Sequence, residues 1–171
     1  LAKAGRHNDA ITAFDRALAL LPTDVSAVYE NGLSLYTLGL YRDSLESFDR
    51  TLELNPLSAD AAFHKARALH DLGRNEDSLA AAERAIEINP AFSGAWYRKG
   101  VALLDLERYD QAVSAFDRTI ELDKTNAQAY FDRGLAPRNP RSTLRPVDSL
   151  FRSPPRANRV LQQELHYIVF G

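Results

Sequence analysis

The stretch 13–24 reads AFDRALALLPTD, and it returns three times at a fixed interval. SFDRTLELNPLS fills 47–58, AAERAIEINPAF fills 81–92 and AFDRTIELDKTN fills 115–126, each copy 34 residues after the last. The halves in front of these copies agree as well: VYENGLSLYTLGLY at 28–41, AFHKARALHDLGRN at 62–75 and WYRKGVALLDLERY at 96–109. A fourth opening, YFDRGLA at 130–136, begins on schedule and then stops. Self-similarity at one period marks a small supersecondary unit that buries its apolar face by stacking on copies of itself.

Inside each unit the apolar spacing is helical. Leu45, Phe48 and Leu52 stand at i, i+3 and i+7, as do Val113, Phe116 and Ile120. Gly39 and Gly73 sit where a first helix must end and the chain turn back, with Glu107 in that place in the third unit. Pro22, Pro56 and Pro90 follow the second helix as stop signals. The pattern predicts helix pairs at 26–38/42–54, 60–72/76–88 and 94–106/110–122, with a leading half at 8–20. Small residues recur where helices must approach closely: Gly32, Ala66, Gly100 and Gly134 on the first helix, Ala10, Ser44, Ser78 and Ala112 on the second. Large ones stand opposite, among them Leu35, Leu69, Leu103, Phe14, Phe48 and Phe116. A small side chain against a large one lets neighbouring helices interlock. The second full unit is the exception, with Ala62 and Ala82 where its neighbours are bulkier, and thinner packing is expected there.

This pattern resembles the tetratricopeptide repeat family. Trp96, Gly100, Leu103, Tyr109, Ala112 and Phe116 stand at the family's signature spacing. Lys99, Thr119 and Lys124 depart from it, at places where the family favours Leu, Ala and Pro. The resemblance covers residues 1–136 and implies an all-α, right-handed superhelical solenoid of antiparallel helix pairs. The implied organisation is a second half-repeat at 1–24, full repeats at 25–58, 59–92 and 93–126, and the first helix of an interrupted repeat at 127–136.

The resemblance also implies a concave groove lined by the first helix of each pair. Its groove positions fall here on Tyr29, Glu30, Leu33 and Tyr36, then Phe63, His64, Arg67 and His70, then Tyr97, Arg98, Val101 and Phe131. One row is aromatic in every copy (Tyr29, Phe63, Tyr97, Phe131), and the row beside it alternates in charge (Glu30, His64, Arg98, Asp132). Rings as anchors and charges setting register suit a peptide lying in the groove. The competing reading is that the rings recur by duplication and pack inside, since aromatics bury large areas wherever they fall. Pairs at i, i+4 such as Glu46–Arg50 and Arg67–Asp71 are expected as solvated surface contacts worth about 0.3–0.5 kcal/mol each. Two specialisations of the family do not fit. A clamp for a terminal carboxylate needs Lys and Asn at places that carry Tyr29, Leu33, His64, Gly94 and Arg98, of which only the Arg agrees. The Asn ladder of the sugar-transferring members is replaced by Glu30, His64, Arg98 and Asp132.

Chemistry is not expected from this chain. His64 and His70 are six apart, which puts them on different sides of one helix rather than at the i, i+4 spacing of a helical metal pair. There is no Cys, so disulfides and thiolate metal sites are excluded. No phosphate-cradling Gly-rich loop appears, and neither a cofactor nor a catalytic set is expected. Asp15, Asp49, Glu83 and Asp117 recur beside Arg16, Arg50, Arg84 and Arg118, which reads as architecture because every copy has it. The implied function is a non-catalytic protein–protein interaction module binding a peptide or helix segment of another protein. The alternative is a substrate-recruiting or regulatory arm of a larger enzyme whose catalytic domain is absent here.

Charge and composition divide the chain near residue 136. The net charge is −2, but residues 1–135 hold 15 Lys and Arg against 21 Asp and Glu. Residues 136–171 hold six Arg against Asp148 and Glu164, with five of the eight prolines. A mildly acidic repeat surface disfavours nucleic acid, and no apolar run is long enough to span a membrane. The expected compartment is the cytoplasm. The basic, Pro-rich stretch 137–171 is expected to be extended or disordered, with a short helix at 158–170. Because repeat homology stops inside a helix, residues after about 136 are expected to come from a shifted reading frame or a mis-joined gene. With no Met anywhere and a start at LAKAGRHNDA, the chain reads as an internal fragment.

Overall fold

The computed structural model describes residues 6–136, and the tail expectations, including the helix at 158–170, lie outside the described residues. Eight helices and no strand occur among the described residues: α1 (His7–Leu20), α2 (Val25–Thr37), α3 (Tyr41–Leu54), α4 (Ala59–Asp71), α5 (Asn75–Ile88), α6 (Ser93–Asp105), α7 (Tyr109–Leu122) and α8 (Ala127–Leu135). The starts of α2, α4, α6 and α8 are 34 residues apart, as are those of α1, α3, α5 and α7. Each helix packs on the next, and α4 also touches α2 and α6. First helices that reach one another across a repeat lie on the inner side of the curve. That makes the inner wall a surface of α2, α4, α6 and α8.

The turns explain the period. Gly39 and Gly73 adopt φ of 77° and 73°, the left-handed region that lets a helix end and reverse. The amides of Leu40, Arg74 and Arg108 then donate back to the carbonyls of Leu35, Leu69 and Leu103 at 3.0, 2.9 and 2.8 Å. Glu107 makes the same turn at φ 59°, where a Cβ is disfavoured. At the other turn, Asn55, Asn89 and Asp123 accept side-chain bonds from the amides two residues on, at 3.3, 3.1 and 3.0 Å. This local turn, together with Pro56 and Pro90 in two copies, closes the second helix. Asp24, Ser58 and Asn126 cap α2, α4 and α8 by accepting from backbone amides of the first turn. Phe92 stands at that place before α6 and makes no cap, packing instead on Phe63 at 4.9 Å between ring centres.

The interlock is steric. A Cβ on Gly32 would come within 2.8 Å of the Phe48 ring, and one on Gly100 within 2.5 Å of the Phe116 ring. Both rings are fully buried. The middle repeat replaces this with Ala66 against Ala82, both buried, closed over by Leu69, Ala81 and Leu45. Its thinner packing shows as a cavity of about 300 Å³ on the outer side, lined by residues of α3, α4 and α5 that include Leu45, Ala62, Ala80 and Ala81. At Gly134 a Cβ would meet nothing within 4 Å among the described residues.

The recurring acids prove to be inter-repeat ties, not partners of the Arg beside them. Asp15 accepts from Asn31 at 3.1 Å, and Asp49, Glu83 and Asp117 pair with Lys65, Lys99 and Arg133 at 2.5, 2.8 and 2.5 Å. All four links span 16 residues, from a second helix to the next first helix. Lys99, a departure from the family pattern, is explained by its pair with Glu83. Exposed pairs of this kind are worth about 0–1 kcal/mol, so they set register more than stability. The expected Glu46–Arg50 pair does not form: Arg50 reaches back to the Pro22 carbonyl at 2.7 Å, as Arg84 does to that of Pro56 at 3.3 Å.

Candidate functional site: the inner face of the first helices

The aromatic row is largely packing. Tyr29 lies half-buried against Phe48 and the next repeat's His64, with ring centres 6.0 and 5.8 Å away. Phe63 packs on His64 and Phe92, and Tyr97 on Phe116. Phe131 has no further repeat to meet among the described residues and is 60% exposed. Three of the four rings therefore form the floor of the groove, and only the last stands clear. Burial, with the nearby Asp60 and Glu30 carboxylates, holds the Tyr29 phenol up at about 12, so it stays neutral.

A second set of contacts crosses from each first helix to the next, always 35 residues on. The Tyr36 hydroxyl donates to Asp71, His70 Nε2 meets Asp105 at 3.0 Å, and the Tyr97 hydroxyl donates to Asp132 at 2.7 Å. Asp132 is also bound by Gln128 Nε2 at 3.0 Å. The expected Arg67–Asp71 pair is absent because Asp71 is taken by Tyr36 and lies 3.5 Å from His70 Nδ1. Asp71, Asp105 and Asp132 lie on the first helices, and each is tied to a residue 35 positions earlier, one more than the repeat period.

Between these ties lie the two cations. The Arg67 guanidinium stacks 4.6 Å above the Tyr36 ring, and its Nη1 lies 3.4 Å from His64 Nδ1. The Arg98 guanidinium lies 5.5 Å from the centre of the Tyr97 ring. The Nε of each is shut off from solvent and has no hydrogen-bond partner among the described residues. No carboxylate among the described residues comes within 4 Å of either group. Burial first, then the charges of Arg67 and Arg98, push His64 down to about 4, so the imidazole is neutral at pH 7. Burial and the charge of Arg67 likewise lower Arg98. Around this centre, Leu33 and Val101 are half-buried, whereas Glu30 is exposed at the margin. The structure thus brings Tyr36, His64, Arg67, His70, Tyr97 and Arg98 into one tied surface and leaves Glu30 and Phe131 at its edges.

No helix among the described residues is long and apolar enough to cross a membrane.

Comparison with known proteins agrees with this architecture. No curated protein sequence matches the chain. Among solved structures, a crystal structure of MamA is 27% identical, covers 79% of each chain and superposes with a TM-score of 0.76. YrrB, described as a TPR protein with an unusual peptide-binding site, is 24% identical over 80% of this chain and 70% of its own, with a TM-score of 0.70. The first TPR of Spaghetti (RPAP3), bound to the HSP90 peptide SRMEEVD, is 19% identical over 66% and 89%, with a TM-score of 0.65. Sequence profiles described as Tetratricopeptide repeat match residues 1–41 and 29–95, and a second such profile matches 93–126. With the interlocked Gly–Phe pairs, the left-handed turns and these matches in agreement, the chain belongs to the tetratricopeptide repeat family.

Proposed function

We propose that this chain is a non-catalytic protein-interaction module that holds a peptide segment of another protein along the inner face of α2, α4, α6 and α8. The observation that carries the reading is the inner face itself. Its side chains are tied to one another across repeats, so the surface is preformed and little ordering is needed when a segment docks. YrrB, described with an unusual peptide-binding site, and the RPAP3 repeat, described as bound to an HSP90 peptide, share the fold, and this supports a peptide-holding use of this chain's inner face.

Tyr29, Phe63 and Tyr97 are poor probes of binding, because their removal would loosen the packing within and between repeats. Leu33 and Phe131 are better placed. Leu33→Asp and Phe131→Ala are expected to abolish capture of partners in a pull-down while helical circular dichroism is unchanged. Ala80→Asp, on the outer side, is expected to leave capture intact. Capture that survives both groove changes and is lost with Ala80→Asp would overturn the assignment.

A further inference from the structure

Among the described residues, the other five Arg and Lys within α4 to α8 each meet a carboxylate within 4 Å: Lys65 with Asp49, Arg84 with Glu87, Lys99 with Glu83, Arg118 with Glu121 and Arg133 with Asp117; of the cations on the turns, Arg74 pairs with Asp77, whereas Arg108 and Lys124 do not pair. The two cations of the inner face, Arg67 and Arg98, meet none. Each is half-buried, with an unpartnered Nε sealed from water. They sit on α4 and α6, which are in contact, and each lies beside an aromatic ring, Tyr36 under Arg67 and Tyr97 near Arg98.

The carboxylates that face this centre are already engaged. Asp71 is held by Tyr36, Asp105 by His70, and Asp132 by Tyr97 and Gln128. His64 adds a neutral ring beside Arg67 rather than a countercharge. Two like charges kept close together and partly dry are unfavourable in the free protein. A carboxylate arriving there would meet charge-assisted donors that no internal carboxylate neutralises.

We propose that Arg67 and Arg98 form a seat for one acidic side chain, Asp or Glu, inside an extended partner segment. This rests on the groove reading above and names the chemistry of its occupant. A side chain, rather than a chain terminus, is specified because the seat is in the middle of the groove. α2 flanks it on one side and α8 on the other, so the occupant continues in both directions. The Tyr36 ring beside Arg67 and the Tyr97 ring beside Arg98 keep water from one side of each guanidinium and strengthen the contact.

The test uses the full 171-residue chain and a randomised nine-residue peptide library, acetylated and amidated at its ends. Selected peptides are expected to share Asp or Glu at one position. Changing that acid to its amide is expected to weaken binding at least tenfold. Arg98→Gln is expected to lose the same factor for the acidic peptide and to stop distinguishing acid from amide. Because its guanidinium has no internal partner, Arg98→Gln is also expected to keep or raise the melting temperature of the free protein. A purely structural arginine would lower it, and that result would overturn the seat. Peptides that lack a shared acid yet still require Leu33 would overturn the seat and leave the groove standing. Selection of no peptide would overturn the groove reading itself. Acid enriched only at the free C-terminus of an unblocked library would overturn the choice of a side chain.

Discussion

The middle repeat and its two neighbours solve one packing problem differently. In repeats 25–58 and 93–126 a glycine on the first helix admits a fully buried phenylalanine from the second, Gly32 with Phe48 and Gly100 with Phe116. In repeat 59–92 two alanines meet, Ala66 with Ala82, and a cavity opens on the outer side. The same weakly packed repeat presents Phe63, His64, Arg67 and His70 to the inner face, where its neighbours' rings and acids converge. The outer repeats act as clamps on a middle pair whose charged face is unfavourable in isolation. Stability in a stacked array is a sum of repeat and interface terms, so a weak middle unit survives between strong ones.

Converting the third repeat toward the second should produce the largest effect. Phe116→Ala removes a fully buried ring and is expected to cost about 3–5 kcal/mol by chemical denaturation. Ala82→Gly, at the same place in the middle repeat, is expected to cost only about 1 kcal/mol. Gly100→Ala should follow, since its Cβ falls 2.5 Å from the Phe116 ring, with a loss of about 1–3 kcal/mol. In the Phe116→Ala background that loss should vanish, because the double variant recreates the Ala66–Ala82 arrangement. A Gly100→Ala cost unchanged in that background would break the comparison.

The middle repeat has its own signature in pH. His64 is pushed down to about 4, against about 6.5 in the unfolded chain. Between those values the unfolded state binds the extra proton. Its contribution is therefore complete above pH 6.5 and is lost as pH falls toward 4, with a slope of at most ~1.4 kcal/mol per pH unit. Thermal denaturation across that window should show the loss, and His64→Phe should flatten it. Two smaller changes make one repeat copy another. Ala62→Val gives the middle repeat the residue of Val28 and should gain about 0.5–1 kcal/mol by filling its cavity. Glu107→Gly gives the third repeat the turn of Gly73 and should raise stability by about 0.5 kcal/mol.

The fold was legible because its causes are local and repeated. The 34-residue period, the glycines at 39 and 73 and the prolines at 22, 56 and 90 place each helix within a residue of where it lies. The aromatic row was legible as a row but not as a floor. Whether Tyr97 points at a ligand or at Phe116 depends on how α6 packs against α7 within the repeat, which the spacing of rings along one helix does not encode. The charge pattern was the least legible. Arg67 and Asp71 have the spacing of an intrahelical pair, yet the acid is drawn to Tyr36 in the preceding repeat. The ties at 16 and 35 residues are properties of stacking, and they are visible only once the pairs are stacked.

The central claim is that partners lie on the inner face. Photo-crosslinking with benzoylphenylalanine at Leu33, Phe131 or Ala80, using a selected peptide that binds the unmodified chain, tests it most directly. Adducts at Leu33 and Phe131 with none at Ala80 are the predicted result. Adducts at Ala80, beside the outer cavity, with none at the two inner positions would contradict it.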